Sequence, residues 1–145
     1  MSKNRSLFWV DIALFVMLMV TIMTVSTDIF VHSFIHVALG VSLCVVALLH
    51  LSLHWSWIKN TGQRYDRLLE SARSNAWLNI GLFCAYILCG GIGWSARALL
   101  FPFHLHVFLG FLHACTAALV IVLQVIHISR HWKWIMAMAR KMIVL

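Results

Sequence analysis

The chain has 145 residues, of which 63% are hydrophobic and only 10% charged, with eleven Lys and Arg against four Asp and Glu for a net charge of +7. An average soluble domain carries roughly 25% charged residues, and the mean hydropathy here is +0.94. That balance excludes an ordinary soluble domain and leaves most of the chain to cross lipid.

A bilayer core needs about 20 apolar residues per helix, and four stretches meet that length, at about 7–30, 33–58, 76–96 and 104–130. The expected fold is therefore all-α: one transmembrane domain over 1–145, an integral membrane four-helix bundle. The first stretch follows Lys3 and Arg5 but is too long for a secretory signal core of about 7–15 residues, so it reads as a retained helix. The second ends in a polar linker at 59–75 (KNTGQRYDRLLESARSN), expected as an interfacial amphipathic turn. The third joins the fourth by a brief connection holding the only proline, Pro102. Beyond the fourth, 131–145 mixes apolar residues with Arg140 and Lys141 and reads as an interfacial tail. Trp55, Trp57, Trp132 and Trp134 suit an aromatic belt at one membrane face.

Basic residues set the expected orientation. Lys3 and Arg5 precede the first span, Lys59, Arg64, Arg67 and Arg73 follow the second, and Arg130, Lys133, Arg140 and Lys141 follow the fourth. Arg97 alone falls on the other side. By the positive-inside rule both termini are cytoplasmic. The positive charge thus reads as topology plus attraction to anionic lipid, and no motif points to nucleic acid. Cys44, Cys84, Cys89 and Cys115 lie in the spans without a C-x-x-C or haem-attachment pattern, and read as small buried hydrophobes.

The nine histidines carry the chemistry. An ionisable group inside a bilayer is costly and is by default a functional candidate. HLSLHWSWI (50–58) and HISRHWKWI (127–135) overlay His50 on His127, His54 on His131, Trp55 on Trp132 and Trp57 on Trp134. Fourteen residues before each of His50 and His127 stands another histidine, His36 and His113. At about 100° per residue each pair keeps one helix face, and both helices run outside to inside. Matched depths then offer two imidazoles at each of two levels, roughly 21 Å apart at 1.5 Å per residue. Paired neutral imidazoles are what haem iron takes axially, so the expected ligands are His36 with His113 and His50 with His127. Two such haems would make an electron path across the membrane.

Alternates remain on both levels. His54 and His131 could replace His50 and His127 or contact propionates. His106, followed by Gly110 as His36 is by Gly40, competes with His113, but its 21-residue distance from His127, roughly 31 Å, does not match the fourteen-residue spacing. His32, His104 and His106 would mark the outer mouth, where Arg97 is a candidate propionate contact. Gly40, Gly81, Gly90, Gly91, Gly93 and Gly110 suit the flat faces of a porphyrin and equally suit close helix packing.

The duplicated pattern H-x(13)-H-x-x-x-H-W-x-W-I, at 36–58 and again at 113–135, resembles the flavinylation-associated cytochrome family of small bacterial membrane proteins. The paired fourteen-residue spacing is also similar, by analogy of site, to the ligand helices of diheme cytochrome b. The resemblance covers both helix pairs and implies an internal duplication of a two-helix unit in a bacterial inner membrane. It implies His36 and His113 on an outer b haem and His50 and His127 on an inner one. It further implies electron exchange between a quinol pool, or a cytoplasmic-side donor, and an extracytoplasmic flavoprotein or similar redox partner. The chain departs from the pattern in carrying His104 and His106.

No nucleotide or flavin motif is present. A quinone is a further candidate cofactor, with Asp11, Asp28, Asn79, Tyr86 and Gln124 as polar groups able to exchange its protons, cap a helix or bond another span. Two other classes stay open. A histidine-based metal or proton transporter would want carboxylates beside its imidazoles, and a non-redox assembly subunit would not need matched spacings.

Overall fold

A computed structural model describes the backbone of residues 3–24, 30–97 and 102–143, and the side chains of 5–24, 34–96, 102 and 104–141. The helices are α1 (Lys3–Met23), α2 (Phe30–Leu53), α3 (Trp55–Gln63), α4 (Glu70–Arg97) and α5 (Phe103–Ile143), with a 3₁₀ turn at Tyr65–Arg67. No strand occurs among the described residues. α1, α2, α4 and α5 each contain a segment long and apolar enough to cross a membrane. Their surfaces fit that reading: Phe34, Val45 and Phe111 are 71, 62 and 65% exposed, an arrangement water penalises and lipid does not. Burial falls instead on inward-facing residues such as Leu18, Leu43, Ala85 and Val120.

The chain divides into two compact units, Met1–Gln63 with Ile135–Leu145, and Arg64–Trp134. In the first, α1 and α2 pack antiparallel, Thr21 meeting His36 and Asp11 meeting His50. α1 stops at Met23, short of the expected 30. There the Thr21 hydroxyl turns back to the Met17 carbonyl at 2.7 Å and the Thr24 hydroxyl to the Thr21 carbonyl at 2.6 Å, the local bonding by which threonine competes with a helical ladder. The second expected helix, 33–58, is divided at His54 into α2 and α3. Backbone bonds nevertheless carry across, His54 N to the His50 carbonyl at 3.1 Å and Ile58 N to the His54 carbonyl at 3.0 Å.

In the second unit the linker is the 3₁₀ turn followed by the start of α4, six residues earlier than expected. Arg73 ties that start to the turn, donating from Nε to the Tyr65 carbonyl at 3.2 Å and from its terminal nitrogen to the Asp66 carbonyl at 2.6 Å. The Trp77 indole donates to the Tyr65 hydroxyl at 2.7 Å. α4 and α5 then run antiparallel, joined near one end by Arg130, which donates to Ser74 Oγ at 2.9 Å and Asn75 Oδ1 at 2.8 Å. Pro102 stands just before α5 and its carbonyl accepts from Leu105 and His106, the place where a missing amide hydrogen costs nothing.

The expected tail at 131–145 is not a separate segment as far as it is described. α5 continues through it to Ile143, because Met136, Ala137, Met138, Ala139, Arg140 and Lys141 are all strong helix formers with no breaker among them. At 41 residues α5 is about 60 Å long, twice the hydrocarbon thickness of roughly 30 Å.

Candidate functional site

Each of the four expected ligand histidines turns its Nδ1 toward an acceptor on the helix packed against it. His36 donates to the Thr21 carbonyl at 3.1 Å, with Thr24 Oγ1 3.0 Å away. His113 donates to the Cys89 carbonyl at 2.9 Å, with Cys89 Sγ at 3.6 Å. His127 donates to Asn79 Oδ1 at 2.9 Å. His50 Nδ1 lies 2.8 Å from Asp11 Oδ1. This last contact has ion-pair length but lacks hydrogen-bond alignment, and His50 Nδ1 is buried with no hydrogen-bond partner among the described residues.

These contacts fix the chemistry of the rings. A carbonyl oxygen only accepts, so a ring nitrogen bonded to it must carry the proton. His36, His113 and His127 are therefore held as the Nδ1–H tautomer, and Nε2 carries the lone pair a metal takes. An outer partner on Nδ1 is the usual companion of a metal-ligating imidazole, where it sets tautomer, ring direction and basicity.

The partners repeat as the histidines do. Asp11 and Thr21 are ten residues apart on α1, and Asn79 and Cys89 are ten apart on α4, facing the fourteen-residue pairs of α2 and α5. One turn beyond, His54 lies against His50 with ring centroids 4.6 Å apart and tilted 48°, and His131 lies against His127 at 4.7 Å and 46°. None of the family models, curated proteins or solved structures compared with this chain matches it. The site is therefore argued from its own geometry.

The alternates are placed as follows. His106 is anchored like the others, Nδ1 to the Ala96 carbonyl at 2.8 Å. His113 is distinguished by tighter seating: a Cβ on Gly93 would lie 2.7 Å from its Cε1 and Nδ1. Gly40, Gly81, Gly91 and Gly110 have no heavy atom within 4 Å of a Cβ position, so a flat group or a lipid chain can approach them. His104 is exposed. Asp28 and the side chains of His32 and Arg97 lie outside the described residues, as therefore does the expected propionate contact.

Two features lay beyond the sequence reading. Of the five polar groups assigned to quinone or helix bonding, Asp11 and Asn79 meet ligand histidines. Cys89, read as a bland hydrophobe like the exposed Cys44, Cys84 and Cys115, offers both its carbonyl and its sulfur to His113. A second arrangement also appears: ligand atoms of Asp11, His50 and His54 lie within 4.8 Å of one another, close enough to hold a metal ion together. At the corresponding place in the second unit an amide, Asn79, replaces the carboxylate.

Proposed function

We propose that the chain is a transmembrane b-type cytochrome of a bacterial inner membrane, with both termini cytoplasmic and two haems. His36 and His113 are the axial ligands of the outer one, and His50 and His127 of the inner one. It carries electrons between a quinol pool or a cytoplasmic-side donor and an extracytoplasmic, flavoprotein-like redox partner. One observation carries this reading: four histidines at duplicated spacing each present Nδ1 to an acceptor from the adjacent helix. The ten-residue repeat of those acceptors further supports an internal duplication of a two-helix unit.

The fit is one of donor chemistry. Bound haem iron supplies a one-electron couple and needs neutral imidazole nitrogen on each side. Thr21, Cys89 and Asn79 hold three rings in the tautomer that offers Nε2, and Asp11 stands where it would do the same for His50. The exposed apolar residues of α1, α2, α4 and α5 suit a lipid surround, in which haem would be kept from bulk water. A quinone would exchange its protons with intramembrane or interfacial polar groups, and Tyr86 and Gln124 remain candidates for that role.

The test is a reduced-minus-oxidised spectrum of the purified protein with haem counted as the pyridine haemochrome. Sharp b-type bands and two haems per chain are expected, and His50→Ala and His127→Ala should each remove the inner haem. Two haems retained in both variants would refute the assignment.

One observation favours a second reading. The Asp11, His50 and His54 cluster brings a carboxylate to two imidazoles, which is what a metal or proton transporter requires. In that case the purified protein is colourless and binds Zn²⁺ with a stoichiometry that Asp11→Asn abolishes. A non-redox assembly subunit predicts neither result.

A further inference from the structure

The four expected ligands are anchored by different kinds of acceptor. His36 and His113 meet backbone carbonyls, of Thr21 and Cys89. His127 meets a neutral amide, Asn79, and His50 meets a carboxylate, Asp11, at 2.8 Å. Asp11 is also costly where it stands. Among the described acidic residues, Asp66 is in the 3₁₀ turn and Glu70 at the first residue of α4, while Asp11 alone falls in the interior of an apolar span, Arg5–Met23. A carboxylate in that setting calls for a role.

We infer that Asp11 makes the two haems unequal, lowering the potential of the one His50 ligates below that of the one His36 ligates. The inference rests on the diheme reading above. The oxidised iron carries one more positive charge than the reduced iron, so a nearby anion favours the oxidised form. Local charge is one of the levers by which a protein sets haem potential. The charge of Asp11 acts through space in a medium of low dielectric, so the imperfect alignment of the His50 contact does not remove the effect. A backbone carbonyl carries only a dipole. Asn79, a neutral acceptor on the partner ligand His127, adds less.

The consequence is a direction. Electrons enter one at a time at the His50 and His127 level, either singly from a reduced one-electron donor on the cytoplasmic side or two in succession from a quinol, which becomes the quinone and releases two protons to water. They leave from the His36 and His113 level to an oxidised extracytoplasmic protein, which is reduced. No bond is made or broken in the chain.

Potentiometric titration of the visible haem bands, with haem counted in the same samples, tests this on the intact protein, Asp11→Asn and Asn79→Asp. The intact protein should show two midpoints. Asp11→Asn should raise the lower one and leave the upper unchanged, and Asn79→Asp should move the lower one further down. Two haems with the lower midpoint unmoved in both variants, or moved in the opposite sense, would overturn the inference while leaving the cytochrome reading intact. If Asp11→Asn is isolated without its inner haem, Asn79→Asp decides alone: a downward shift upholds the inference and an unmoved midpoint ends it. Absence of haem from the intact protein would instead defeat the reading beneath it.

Discussion

At His113 the ring is held on two sides, by the Cys89 carbonyl that takes its Nδ1 proton and by the bare backbone of Gly93. A methyl group there would sit 2.7 Å from Cε1 and Nδ1 and 3.4 Å from Nε2, so the ring must shift, straining the Nδ1 bond to Cys89. Gly93→Ala should therefore cost about 1–3 kcal/mol of packing strain and turn Nε2 out of its direction. The expected result is a lower melting temperature and loss of one haem from the count. Gly62→Ala is the control, since a Cβ there meets nothing within 4 Å and a helical Gly→Ala change alone stabilises by about 0.5–1 kcal/mol. Equal haem content and equal melting in the two variants would show that Gly93 has no part in seating the ligand.

At the scale of elements, the apolar runs announced four long helices, and the overlay of HLSLHWSWI on HISRHWKWI with its fourteen-residue spacing drew attention to four histidines, of which His36, His113 and His127 bond through Nδ1 to a neighbouring helix and His50 stands 2.8 Å from Asp11. What stayed hidden depended on contacts between helices. Asp11 and Asn79 are legible as polar residues in oily spans, but which histidine each meets is set by how an antiparallel pair packs, which one helix's periodicity does not contain. Cys89 was missed for the same reason, because its backbone carbonyl matters more than its side chain. The end of α1 depended on the Thr21 and Thr24 hydroxyls turning back on the Met17 and Thr21 carbonyls, and the length of α5 on the absence of any breaker after Arg130. The start of α4 depends on Arg73, which bonds the Tyr65 and Asp66 carbonyls and lies with its guanidinium carbon 5.5 Å from the Tyr65 ring centroid. Arg73→Ala should free that turn at a local cost of about 1 kcal/mol, since hydrogen bonds from charged groups are worth more when buried than at a wet surface. Limited proteolysis should then cut faster at 64–69 with the haem bands unchanged. Unaltered cleavage would mean that the Trp77 to Tyr65 bond holds the turn unaided.

For the whole molecule, the deciding quantity is the sidedness of charge. With the spans expected from the sequence, at about 7–30, 33–58, 76–96 and 104–130, four crossings would return the chain to the side on which it began, and ten of the eleven Lys and Arg fall before the first or within its flank, between the second and third, or from the end of the fourth onward. Arg97 is the exception, at the end of α4. Short loops rich in Lys and Arg resist transfer across the inner membrane, so each basic segment argues independently for the same orientation. The direction inferred for electron flow also needs this orientation, because it places the His50 and His127 level near the cytoplasmic face. Fusions at the C-terminus distinguish the alternatives: alkaline phosphatase, active only when exported, should be inactive there, and green fluorescent protein should be bright. Phosphatase inserted at 98–101, in the connection between α4 and α5, should be active. Activity at the C-terminus with none at 98–101 would invert the membrane orientation, and with it the assignment of His36 and His113 to the outer level.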